Sequence, residues 1–242
     1  MPENEMPVEE VRQRVALALD VGDLAAAEAV ARRLAPWFGI AKVGMELYAE
    51  AGPEALDRMH ELGFRVFADL KLYDIPTTVE RAARALGRRG VEFLNFATYP
   101  HGEGMLRAGV AGLLEGARDG GHPEPVPLAV TVLTSDPRTE TFEERLDAAA
   151  AAGCRGVVCS AYEVEAVHAR RADLATMVPG VRLPGGDHHD QARVATPAEA
   201  VRAGADWMVV GRAVTAATDA EAAATAVARS IADALGARTR DT

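Results

Sequence analysis

Eight short apolar runs, each followed by an amphipathic stretch, constrain this chain more than any other feature. The runs are Val15–Leu19, Ile40–Val43, Val66–Leu70, Val91–Phe96, Leu128–Leu133, Gly156–Cys159, Leu174–Val178 and Trp207–Val210. Each is too short for a helix of usual length and suits a strand buried on both faces. The intervening segments carry helical spacing. Leu24, Ala27, Ala31 and Leu34 form one stripe, with Glu28 and Arg32 paired four apart elsewhere on the surface. Val79, Ala82, Ala83 and Leu86 form another, opened by Pro76 in a first-turn position and stopped by Gly90. Asp23 suits the cap of the first of these helices, and Thr196-Pro197 the start of the seventh. Eight strand–helix units predict an α/β protein with a closed (β/α)8 TIM barrel, and an open doubly wound sheet is the second choice. The 242 residues fit one such domain, with a core from about residue 15 to residue 235. Arg118 to Pro127, rich in Gly and Pro, reads as a surface loop.

Composition narrows the function. The formal net charge of −10 disfavours nucleic acid, whose phosphates demand a basic face, yet leaves room for a small anion held by local cations. No apolar run approaches the roughly 18–20 residues needed to span a bilayer, and the acidic N-terminus lacks the pattern of a signal peptide. A cytoplasmic protein is expected. Cys154 and Cys159 read as free, with Cys159 in the core. His188, His189 and Asp190 read as a polar loop tip, and Trp37 and Trp207 as packing residues.

Of 26 basic residues, only Lys42 and Lys71 are lysines. Arginine stays protonated at every working pH, whereas a lysine can surrender a proton when its surroundings shift its pKa. Both lysines lie near the carboxyl ends of predicted strands, where barrel enzymes place their chemistry. Asp20 closes the first strand, and Asp69-Leu70-Lys71 closes the third. Alternation puts Asp69 and Lys71 on one face, inward at the mouth, with Ala68 and Leu70 turned to the helices. Asp74 falls in the loop beyond. Opposed charges gathered from neighbouring strands into one pocket have the character of a site with tuned pKa values. After the seventh and eighth strands, Pro179-Gly180-Val181-Arg182 and Val210-Gly211-Arg212 suit an anion, because glycine admits close backbone approach and arginine offers a fork of donors.

Taken in order, these segments resemble the orotidine 5'-monophosphate decarboxylase family from about Val15 to Ala232. The strongest piece is Asp69-Leu70-Lys71-Leu72-Tyr73-Asp74-Ile75-Pro76, similar to the family's D-x-K-x-x-D-I-P signature. Leu19-Asp20, Lys42-Val43-Gly44, Thr131-Val132-Leu133-Thr134-Ser135, Pro179-Gly180-Val181-Arg182, Asp190-Gln191 and Val210-Gly211-Arg212 accompany it. The resemblance implies conversion of orotidine 5'-monophosphate to UMP, the last step of de novo pyrimidine nucleotide synthesis, without cofactor or metal. It implies Lys71 as proton donor to C6 and Asp69 facing the substrate carboxylate. Asp20 and Lys42 would hold ribose hydroxyls and complete the charge array, so Lys42 counts with Lys71, Asp69 and Asp74 among the catalytic residues. Asp74, Ile75 and Thr78 would enter a partner subunit's site in a homodimer. Thr134 would lie by the pyrimidine. Arg182, Gln191, Gly211 and Arg212 would serve the phosphate, with the loop from Pro179 to Gln191 as a lid.

Two positions depart from the pattern. Ala97 stands where the family often has histidine, and Leu183 separates Arg182 from the proline that usually follows it. Two rivals remain. Metal-dependent sugar-phosphate lyases share the Asp-x-Lys-x-x-Asp segment but place a glutamate near the position of Lys42, where an ammonium would repel the metal. A non-catalytic nucleotide-binding barrel would have little use for the charge array.

Overall fold

The computed structural model describes residues 8–99, 102–133, 140–183 and 194–238. Eight parallel strands close into a barrel in chain order: β1 (Val15–Ala18), β2 (Ile40–Gly44), β3 (Arg65–Leu72), β4 (Phe93–Ala97), β5 (Val126–Val130), β6 (Gly156–Val158), β7 (Ala175–Val178) and β8 (Trp207–Val210). Closure is direct, since β1 pairs with β2 through Ala18–Lys42 and with β8 through Leu17–Val210. The open doubly wound sheet is thereby excluded. Each predicted run lands on a strand, with its ends shifted by at most three residues.

The helices are α1 (Val8–Arg14), α2 (Leu24–Leu34), α3 (Met45–Ala51), α4 (Glu54–Glu61), α5 (Pro76–Gly87), α6 (Glu103–Gly120), α7 (Phe142–Ala151), α8 (Val164–Arg170), α9 (Pro197–Ala203), α10 (Arg212–Thr215) and α11 (Ala220–Arg238). The Asp23 carboxylate accepts the Ala26 N–H at 2.7 Å and caps α2. Thr196 and Glu199 form a reciprocal capping box on α9, with Pro197 in its first turn. The predicted loop from Arg118 to Pro127 needs correction. α6 runs on to Gly120 and ends at Gly121 with φ 72°, and β5 already begins at Val126, leaving only residues 121–125 irregular. Among the described residues, no helix is long and apolar enough to cross a membrane.

Alternation along the strands sorts the apolar residues into two cores. Leu17, Val43, Val66, Ala68, Leu94, Phe96, Val157 and Val210 face the helices. Ala16, Ala18, Ile40, Phe67, Phe93, Leu128, Met177 and Val209 fill the barrel itself. Phe93 packs edge-on against Phe67 (6.2 Å) and Trp207 (4.9 Å), contacts worth about 0.5–1.5 kcal/mol each beyond the area they bury. This plug fills the amino-terminal end of the barrel, where the Arg65 guanidinium lies over the Phe93 ring (5.8 Å to its centroid). Outside the barrel, α6 lies against the backbone of α5. A Cβ added at Gly112 or Gly116 would come within 2.2 Å of the Glu80 carbonyl oxygen or 2.1 Å of that of Arg84. The glycines thus let α6 hold α5 closely, and α5 carries the Tyr73–Ile75 segment at its amino end.

Candidate active site

The inward parity that fills the barrel also builds the site one layer higher. Ile40 leads to Lys42, Phe67 to Asp69 and Phe93 to Asn95, each two residues on and therefore on the same face. Asp20 stands two residues beyond Ala18. The Lys42 ammonium lies 2.8 Å from the Asp20 carboxylate and 3.3 Å from that of Asp69. Lys71 Nζ lies 2.5 Å from Asp69 Oδ1. The four groups form a chain of alternating sign: Asp20, Lys42, Asp69, Lys71. Gly44 makes room for it, because a Cβ there would stand 2.9 Å from Asp20 Oδ1 and 3.1 Å from Lys42 Nζ.

Burial alone would neutralise such groups. It pushes the Lys42 ammonium toward deprotonation, but Asp69 and Asp20 outweigh it and raise the pKa above the usual lysine value. It pushes the Asp69 carboxyl up, but Lys42, Lys71 and a hydrogen bond from Asn95 together hold it below its ordinary value. Both groups stay charged at neutral pH because each has the other.

Simple alternation does not fully account for Lys71. Between Ala68 and Leu72 the pairing of β3 with β4 shifts: Ala68 pairs with Leu94, whereas Leu72 pairs with Phe96. Four residues of β3 therefore advance against two of β4, and the bulge holds Asp69, Leu70 and Lys71. Lys71 has φ 50°, the one positive φ at a non-glycine among the described residues. That conformation costs an ordinary residue roughly 1–2 kcal/mol. Its N–H donates to Asn95 Oδ1 at 2.7 Å, and Asn95 Nδ2 donates to Asp69 Oδ1 at 2.7 Å. Bulges beside active sites re-aim side chains, and this one turns the Lys71 ammonium into the mouth.

A cavity of about 260 Å³ opens above the array. Asp20, Lys42, Asp69 and Lys71 line it along the β1–β3 arc, Val130, Val158 and Cys159 along β5 and β6, and Gly180, Arg182, Gly211 and Arg212 along the β7–β8 arc that closes back onto β1. Of the residues singled out from the sequence, these four charges and Arg182, Gly211 and Arg212 are brought together. Asp74 and Ile75 are not. They line a separate groove with Tyr73, Pro76 and Tyr99, and Thr78 is exposed in the first turn of α5. Thr134, Gln191 and the His188-His189-Asp190 tip lie outside the described residues. Asn95 and the packing role of Gly44 escaped the sequence reading. The signal for Asn95 was present: a lone amide at an inward position of an otherwise apolar strand. Both cysteines are buried and neither forms a disulfide, and burial pushes the Cys154 thiol up to about 12.

The profile of the "Orotidine 5'-phosphate decarboxylase / HUMPS family" matches residues 13–227, most of the chain. The chain belongs to that family. A protein of Moorella thermoacetica named orotidine 5'-phosphate decarboxylase is 45% identical over 234 residues, covering 91% of this chain and 92% of the relative. One of Anaeromyxobacter dehalogenans with the same name is 45% identical over 229 residues, covering 89% and 97%. Among solved structures, orotidine 5'-phosphate decarboxylase from Lactobacillus acidophilus superimposes with a TM-score of 0.73 at 32% identity, covering 90% of this chain and 99% of that one. Membership in the decarboxylase / HUMPS family agrees with the resemblance drawn from Asp69-Leu70-Lys71 and its companion segments.

Proposed function

We propose that this chain decarboxylates orotidine 5'-monophosphate to UMP, with Lys71 protonating C6 and without a cofactor. One observation carries the reading. The Asp20–Lys42–Asp69–Lys71 array lines the same cavity as Arg182, Gly211 and Arg212. A ligand with a dianionic phosphate at one end and a reacting carboxylate at the other suits that polarity.

In the reaction the bond from C6 to the carboxylate carbon breaks, CO2 leaves, and the electron pair remains in the ring plane on C6. The Lys71 ammonium stabilises that pair and then gives it a proton, and the neutral amine is reprotonated from water. Asp69 sits beside the departing carboxylate, where like charge disfavours the bound substrate relative to the transition state. Lys42 holds Asp69 ionised in this place. Asp20 and Lys42 also offer an acceptor and a donor to ribose hydroxyls. Arg182, Gln191, Gly211 and Arg212 take the phosphate, whose binding energy is realised in the transition state as the loop after Gly180 closes. Thr134 contacts the pyrimidine.

The protein acts as a homodimer in which Asp74, Ile75 and Thr78 complete the partner's site. Tyr73 and Ile75 are 62% and 66% exposed beside Asp74, an apolar rim of the kind that marks an interface. The alternative within the family is a metal-dependent sugar-phosphate lyase. It is disfavoured because the Lys42 ammonium occupies the space between the Asp20 and Asp69 carboxylates, where a divalent ion would need to sit. Loss of orotidylate absorbance in excess EDTA tests the reading. Turnover that survives the chelator supports it; a chain that leaves orotidylate intact overturns it.

A further inference from the structure

We propose that Asn95 is a positioning residue of this site, holding the Lys71 backbone and the Asp69 carboxylate with the two ends of one amide. The inference rests on the decarboxylase reading and extends it to a residue behind the reacting groups. Asn95 is fully buried at the inward face of β4, directly beneath the array. A buried amide without partners is costly, so its bonds are informative. Its orientation is dictated by chemistry. An ionised carboxylate only accepts and a backbone N–H only donates, so the NH2 must face Asp69 and the oxygen must face Lys71.

Each bond answers a specific difficulty of the site. Lys71 stands at φ 50° in a bulge, and the strand ladder has shifted out of register there. Asn95 Oδ1 takes the N–H that this bulge exposes. Asp69 Oδ1 lies 2.5 Å from the Lys71 ammonium, and Asp69 Oδ2 lies 3.3 Å from that of Lys42. Asn95 Nδ2 adds a donor to Oδ1, the oxygen that faces Lys71. Apolar residues, Phe67 and Phe93 among them, fill the inward layer below. The amide therefore couples the backbone that aims the proton donor to the carboxylate that it faces.

The test uses the full-length enzyme with Asn95→Ala and with Asn95→Leu, which nearly fills the side-chain volume without a polar atom. Losing hydrogen bonds to a charged group and to a strained backbone is expected to lower kcat about 10- to 100-fold. KM should stay within about threefold, since neither bond touches the phosphate end. The acid limb of the kcat profile should move to higher pH, because Asp69 loses one of the groups that hold its proton off. A second readout does not depend on turnover. The chain has just two lysines, so 15N-lysine labelling yields two side-chain ammonium signals, and that of Lys71 should move more than that of Lys42. A folded variant with wild-type kcat, an unmoved acid limb and unshifted ammonium signals overturns the inference. So does failure of both variants to fold, which would make Asn95 a purely structural residue. An inactive wild-type chain whose Lys71 signal still responds would sink the decarboxylase reading and leave the positioning role standing.

Discussion

The two walls of the cavity are built by different means. On one side, Asp20, Lys42, Asp69, Lys71 and Asn95 rise from β1 to β4, next to the filled barrel, and fix one another at 2.5–3.3 Å. On the β7–β8 arc, Gly180, Arg182 and Gly211 lie in the connecting segments after β7 and β8, and Arg212 opens the short helix α10. Side chains on strands are held by the packing below them, and those on loops move with the loop. Charge that must be in place before substrate arrives belongs on the first kind of support. A handle that closes on a ligand belongs on the second. The two walls should therefore fail differently when altered.

The largest effect is expected on the strand-borne wall. On the proposed mechanism Lys71→Ala removes proton donor and carbanion partner together, and turnover should fall by more than about 10⁴-fold while UMP still binds. Lys71→Arg should fail almost as badly, because guanidinium is too weak an acid. Single-turnover kinetics with calorimetric UMP binding measure both. Near-normal turnover in either variant would remove the distinction between the walls.

The next effect concerns the rim, which belongs to neither wall of its own chain. Asp74 lies in its own groove, its carboxylate accepting the Ile75 N–H at 2.6 Å. Asp74→Ala should be nearly inactive alone, as should Lys71→Ala. Mixed and allowed to exchange subunits, the two should recover about a quarter of the wild-type sites, because half the dimers are hybrids and each hybrid has one complete site. No recovery, with exchange verified by mass, means that Asp74 serves its own chain or none.

The same contrast governs what could be read from the sequence. Strand-borne features were legible because two simple periods determine them. Eight apolar runs became eight strands, and inward parity brought Asp20, Lys42 and Asp69 together, with Lys71 turned in beside them by the bulge. The β3 bulge was not legible, since nothing in Asp69-Leu70-Lys71 announces two extra residues against β4; only pairing reveals them. α1 carries little apolar pattern, and α3 and α4 split one connection between β2 and β3, where a barrel needs only one helix. The Arg118–Pro127 loop was misjudged because Gly120 and Gly121 sit at a helix end and Pro127 in a strand, so residues typical of turns marked boundaries instead. At the anion-facing wall the sequence offered glycines and arginines in the expected loops, but loop conformation follows from no period.

Arg212→Ala probes that second wall. Removal of a charge-assisted contact to phosphate should raise KM about 10- to 100-fold, with a smaller loss in kcat and little change in melting temperature. A fall in kcat equal to that in kcat/KM, with KM unchanged, would place Arg212 among the groups that act only in the transition state and blur the two walls.

The smallest expected effect separates the walls by pH. Asp69 is held below the ordinary carboxylate value, so its charge is present above that value and is lost only as pH falls through the lowered folded pKa. Any stability that its pairing contributes follows the same sign. A phosphate monoester gains a proton near pH 6. On acidification from neutrality, KM should rise first, by about threefold or less, as the dianion becomes a monoanion that the same arginines still bind. kcat should hold until the pH falls below the ordinary carboxylate range, where Asp69 begins to protonate or the fold gives way. If kcat and KM instead turn at one shared pH near 6, a single group governs both walls, and their independence is lost.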